Sequence, residues 1–131
     1  MSTRCPFERL IVAGTHACSR AVAVTRRDGA GIDCNDACSC ERCRSLQAFF
    51  EQVGGEAFGE VEDRTQVPHS TLLKIQIGGL AGTVQCLDIS VDEKIEDLDQ
   101  VAGQADGNLE SLDHEILAEA MRGARARRRR H

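Results

Sequence analysis

Apolar and polar positions along the chain follow two different periods, and the change of period marks out its elements. Phe7 to Ala13 is a short apolar run, and Ala17 to Thr25 alternates with Cys18, Arg20, Val22 and Val24 on one side. Both patterns predict strands. Asp28-Gly29 is a tight-turn pair, so Ala21 to Arg26 and Ala30 to Cys34 are expected to form a hairpin. That turn would return Cys34 beside the strand that begins at Cys18. From Ser39 the period lengthens: Leu46, Phe49, Phe50 and Val53 recur at i, i+3, i+4, i+7, the stripe of a helix that Gly54-Gly55 is expected to end. Cys43 extends the stripe one turn earlier, and Cys40 shares its face.

Further along, Glu56 to His69 has weak periodicity and contains Pro68, which predicts a loop with a short strand or turn around Phe58 to Val61. Thr71 to Ile77 alternates, with Leu73, Ile75 and Ile77 on one face; Gly78-Gly79 and then Leu80 to Ile89 complete the pattern of a second hairpin. Cys86 would share its inward face with Leu73 and Ile75. Ser90-Val91-Asp92-Glu93 has the form of a capping box opening a helix with Val91, Ile95, Leu98 and Ala102 inward, ended by Gly103. Asn108 is placed to cap a last helix with the stripe Leu109, Leu112, Ile116, Leu117, Ala120 and Met121. Together these elements predict an α+β fold: one small domain, residues 1–121, of antiparallel β-hairpins packed with about three helices. Residues 122–131 form a basic tail expected to fray.

Composition changes this picture little. A chain of 131 residues, 41% hydrophobic and 28% charged, has the make-up of one folded domain that needs no disulfide to hold it. Aromatic residues are 3%, with no Trp or Tyr, which removes the usual stacking platforms for single-stranded nucleic acid. The net charge is -5, unevenly spread: six of the sixteen basic residues, Arg122, Arg125 and Arg127 to Arg130, fall in the last ten positions, which hold no acid. An acidic body disfavours phosphate as its ligand, so nucleic acid is expected only through the Arg122 to Arg130 tail, whose plainer reading is a solvated terminus. No run approaches the roughly 18 to 20 apolar residues of a membrane span, and Leu10 to Gly14 is too short for a signal-peptide core. The expected location is cytoplasmic, where thiols stay reduced.

Cysteine usage supplies the candidate chemistry. Cys34, Cys38, Cys40 and Cys43 fall within ten residues among polar neighbours Asp36, Ser39 and Glu41, and Cys5, Cys18 and Cys86 bring the count to seven. Buried thiols serve widely as small core hydrophobes, and that is the plain reading for Cys5 and Cys86. A loop this polar is not ordinary core. Soft thiolates select zinc or iron-sulfur iron, and such a site draws about four ligands from two or more chain segments. Cys40-x2-Cys43 is one arm, and Cys18 and Cys34 are the expected partners, with Cys5, Cys38 or Cys86 as alternates. His16, two residues from Cys18, allows a mixed Cys/His zinc site. The same Cys40-x2-Cys43 pair at a helix start also suits dithiol redox chemistry.

The spacing Cys34-x5-Cys40-x2-Cys43 with a distant Cys86 resembles that of adrenodoxin-like [2Fe-2S] ferredoxins. Over these few residues the resemblance implies only that Cys34, Cys40, Cys43 and Cys86 could jointly hold a cluster. A set drawn from Cys5, Cys18, Cys34, Cys40 and Cys43 fits the chain as well. No nucleophile elbow, phosphate-binding glycine loop or metalloprotease helix is present. His114, in Asp113-His114-Glu115, belongs to a solvated helix face. The expectation is therefore a small cysteine-ligated metal or iron-sulfur protein, an accessory or electron-transfer component with a protein partner or larger complex, and not a stand-alone enzyme. A structural zinc interaction module and a thiol-redox protein using Cys40 and Cys43 are the alternatives.

Overall fold

A computed structural model describes residues 3–58, 69–89, 95 and 97–124. In chain order these are helix α1 (Glu8–Val12), strands β1 (Ala21–Arg26) and β2 (Gly29–Cys34), and helices α2 (Ala37–Phe58), α3 (His69–Cys86), α4 (Leu98–Ala105) and α5 (His114–Gly123), with a 3₁₀ turn at Leu109–Ser111. The fold is α+β: one antiparallel hairpin against a set of helices.

The first hairpin forms between the expected strands with its turn one residue earlier than the Asp28-Gly29 pair predicts, so that Ala21 stands opposite Cys34 and Arg26 opposite Gly29. The turn residues are Arg27 and Asp28, and Gly29 closes the loop at φ 134°, a value open to glycine. The N-terminal segment adds to the free edge of β2: Cys5 N-H donates to Ile32 O at 3.0 Å and Cys34 N-H to Thr3 O at 2.7 Å. A short apolar run does not by itself distinguish strand from helix. At Phe7 to Ala13 the expected strand is instead the short helix α1, which sends Phe7 and Leu10 inward. Its Glu8 is buried too, because the carboxylate accepts from Ile32 N-H at 2.7 Å and pairs with Arg4 and Arg26, each at 2.7 Å.

Helix α2 runs through Gly54-Gly55, where the sequence predicts its end. Gly54 faces Ile75 so closely that a Cβ there would press into the isoleucine, so the glycine serves close approach and does not break the helix. The inward stripe is as expected, with Cys40, Cys43, Leu46, Phe50 and Val53 buried.

The second hairpin is the principal correction. Thr71 to Cys86 is helical, part of the 18-residue α3, and Gly78-Gly79 is mid-helix. Leu73 and Ile77, or Ile75 and Gly79, stand four apart as well as alternating, so a short window satisfies both periods. The glycines decide for helix through tertiary contact. A Cβ on Gly78 would overlap the backbone of Met121, one on Gly79 the ring of Phe50, and one on Gly82 would crowd Leu117. Thus α3 lies against α5 and α2 at backbone-to-side-chain distance, and Thr83 in the same interface returns its hydroxyl to Gly79 O at 2.8 Å.

The Ser90 capping box, like most of the predicted Glu56 to His69 loop, lies outside the described residues. The helix expected there is seen as α4, capped by Asp97, whose carboxylate accepts from Asp99 N-H at 3.2 Å. It buries Leu98, Val101, Ala102 and Ala105 and continues through the exposed Gly103. Asn108 opens only the 3₁₀ turn; Asp113 caps α5 by accepting from Glu115 N-H at 2.9 Å. Of the predicted last stripe, Leu112, Leu117 and Met121 are buried. The tail beyond Ala124 lies outside the described residues. No helix among the described residues is long and apolar enough to cross a membrane.

Candidate metal centre

Cys5, Cys18, Cys34, Cys40 and Cys43 line one small cavity of about 10 Å³, closed by Leu98 and Asp99 from α4. They arrive from four places: the N-terminal edge segment, the loop before β1, the end of β2 and the first turns of α2. The hairpin accounts for two of them, since pairing Ala21 with Cys34 brings the ends of β1 and β2 together next to Cys18. Helical spacing accounts for Cys40 and Cys43. Cys5 is placed by its backbone bond to Ile32 O.

All seven cysteines are free thiols. Burial pushes the Cys5 thiol up to about 12; Phe7 N-H opposes this, and the neighbouring Cys18, Cys34 and Cys40 add to it. Burial raises Cys43 further, reinforced by Cys5, Cys18, Cys34 and Asp99. Cys40 and Cys18 are raised by burial as well. Three of the sulfurs hydrogen-bond to the backbone: Cys34 Sγ donates to Asp36 O at 3.2 Å, Cys40 Sγ donates to Arg4 O at 3.7 Å, and Cys18 Sγ accepts from Arg20 N-H at 3.4 Å. Among the described residues, no group of three or more Cys, His, Asp or Glu stands in the arrangement of a formed metal site. The five cysteines line one cavity, yet Cys34 and Cys40 direct their thiol hydrogens to backbone carbonyls, and the Cys18 sulfur accepts from a backbone N-H.

Two alternates stand apart. Cys38 is exposed on the outer side of α2. Cys86, at the end of α3, accepts from Asp113 N-H at 3.4 Å and does not line the cavity, so the four cysteines implied by the ferredoxin resemblance are not gathered in one place. His16 bonds to the Thr15 hydroxyl at 2.9 Å. The Cys40-Cys43 pair is also not at the open helix end: the helix begins at Ala37, Asp36 accepts from Cys38 N-H, and Cys40 N-H is already bonded to Asp36 O.

Sequence reasoning did not find the polar rim. Asp99 stands 3.5 Å from both Arg20 and Arg42, and Arg42 also reaches Ser39 Oγ at 3.1 Å. Arg42 Nε is the buried side-chain polar atom without a partner among the described residues. The only sequence signal for Asp99 is its place in the first turn of α4; nothing in the chain pairs it with cysteines more than fifty positions away. No protein-family model matches this chain, and neither a curated protein nor a solved structure matches it.

Proposed function

We propose that this chain is a small cysteine-ligated metal protein that holds a single soft ion of the zinc class and serves as an accessory component of a larger cytoplasmic system. The ligands in this reading are Cys18, Cys34, Cys40 and Cys43. The observation that carries it is the gathering of five free thiols from separate chain segments around one cavity. Ordinary core would not need five cysteines around one cavity whose lining also includes Asp99 and Arg20.

The size of the cavity favours a single ion over a cluster. A cavity of about 10 Å³ has room for about one water-sized body. A single ion fits that space, whereas an iron-sulfur cluster would require its walls to move apart. Four thiolates around one ion is the closed coordination of structural zinc, in which binding free energy becomes folding free energy. Binding would replace the thiol hydrogen bonds of Cys34 and Cys40 and would have to overcome the burial that raises Cys18, Cys40 and Cys43.

Dithiol redox chemistry is less well supported. A reactive cysteine needs a depressed pKa and exposure, yet Cys40 and Cys43 are 2% and 6% exposed and both are raised by burial. Metal analysis with an absorption spectrum of anaerobically purified protein tests the proposal. Colourless protein carrying about one zinc per chain is expected. Visible absorbance bleached by dithionite would replace zinc with a cluster, and metal-free protein that takes up no zinc would overturn the reading.

A further inference from the structure

The β-hairpin has two edges, and among the described residues only one is covered. On the β2 side the N-terminal segment extends the ladder, with Cys5 N-H donating to Ile32 O and Cys34 N-H to Thr3 O. Ile32 and Cys34 therefore turn their backbone groups away from β1. By antiparallel alternation their partners Ala23 and Ala21 turn theirs to the opposite edge, as does Thr25. Ala21 N-H is taken by Cys18 O at 3.2 Å, but nothing among the described residues accepts from Ala23 N-H or Thr25 N-H. The edge also lacks the usual protections. It reads Ala-Val-Ala-Val-Thr-Arg in an unbroken register, with no proline, lysine or bulge, and Arg26 is bound to Glu8 and Asp33. Val22 on this strand is 42% exposed.

We propose that β1 pairs with β1 of a second copy of this chain, antiparallel about Ala23, to make a closed two-fold dimer. Ala23 then faces its symmetry mate and exchanges both backbone bonds with it. Ala21 stands opposite Thr25 of the second copy, and Val22 opposite Val24, a cross-strand pair of β-branched side chains that covers the exposed valine. Charge fits the same register. Arg27, in the turn after β1, has no ion-pair partner among the described residues, and the pairing carries it to the Ser19 end of the other strand. There Asp97 accepts from Ser19 N-H at 3.0 Å and from its hydroxyl at 3.1 Å, both through Oδ1, so that Oδ2 is left to meet the guanidinium. The two-fold axis makes this contact twice. Because the N-terminal segment already occupies the far edge of each hairpin, pairing stops at two and does not run on as a filament. A six-residue edge buries little area, so the dimer is of the weak, concentration-dependent kind.

Sedimentation equilibrium of the full chain from about 10 µM to about 0.5 mM, with amide exchange by NMR at both ends of that range, tests this. A monomer-dimer equilibrium is expected, with exchange at Ala23 and Thr25 slowed about tenfold at the higher concentration. Proline is tolerated at an edge position whose N-H points to solvent, so Ala23→Pro keeps the hairpin while blocking the second strand. It should weaken association at least about tenfold with the urea midpoint of the monomer little changed. Arg27→Glu leaves the ladder alone and should weaken association about tenfold through the two symmetry-related charge contacts. A chain that stays monomeric at about 0.5 mM overturns the proposal. So does a dimer that Ala23→Pro and Arg27→Glu both leave intact, since it uses another surface. Protection of Ala23 and Thr25 that is the same at every concentration would put the cover of this edge within the chain, and would also overturn it.

Discussion

The two halves of α2 sit in opposite settings. In its first turns Cys40 and Cys43 face sulfurs from the hairpin and the N-terminal segment across a space of about 10 Å³. Farther along, Phe50 and Gly54 meet Gly79 and Ile75 of α3 with no space left for a methyl group. One helix face thus meets close-packed glycines at one end and cysteines that form no disulfide at the other. Interiors normally fill such gaps, because atoms facing a void lose their dispersion contacts.

The contrast can be broken from either end. The largest effect is expected at the thiol end: Cys43→Ser should weaken zinc binding about a thousandfold, ~4 kcal/mol, in competition with a chromophoric chelator. Unaltered binding would make Cys43 plain core and erase the difference between the two halves. At the close-packed end, Gly78→Ala gains about 1 kcal/mol of helix propensity but must displace the Met121 backbone. The net expectation in urea unfolding is a loss of about 3 kcal/mol. A neutral or stabilising outcome would mean that α3 and α5 do not approach this closely.

Glu8 supplies a charged latch on the thiol side. Burial alone would raise its carboxyl, but Ile32 N-H, Arg26 and Arg4 outweigh that and hold it below its ordinary value of 4.5. A depressed carboxyl stabilises the fold fully above the unfolded value and loses that contribution as pH falls through the lower folded value. Glu8→Gln should therefore cost about 2 kcal/mol near neutral pH. The gap between parent and variant should close as unfolding is repeated at pH values below 4.5. A gap independent of pH would show that shape and not charge holds the hairpin to α1. The smallest change is expected at Gly103, inside α4 with nothing near its missing Cβ. Gly103→Ala should stabilise by about 0.5–1 kcal/mol, the opposite sign to Gly78→Ala in the same assay.

Local signals were readable where one local cause governs. Asp28-Gly29 marked the hairpin, Leu46 to Val53 marked α2, and the three-residue spacing put Cys40 and Cys43 on one face. The candidate site was partly legible for the same reason, since hairpin pairing brings Cys34 toward Cys18. What failed depended on neighbours distant in sequence. Gly54, Gly78, Gly79 and Gly82 look like breaks, but each lies where another element comes too close for a side chain.

The sequence by itself determined the α+β class, the first hairpin, the stripe of α2 and the density of thiols, because turn chemistry and helical spacing act over a few residues. Tertiary structure alone decided that Thr71 to Cys86 is helix, since its apolar pattern satisfies both periods and contact with Met121, Leu117 and Phe50 selects one. It also sorted the cysteines. Cys5 and Cys18 join Cys34, Cys40 and Cys43 around the cavity, while Cys86 is carried on α3 to Asp113 and Cys38 faces outward. Which sulfurs meet is fixed by how the edge segment, hairpin and helices close on one another, and no spacing along the chain encodes it.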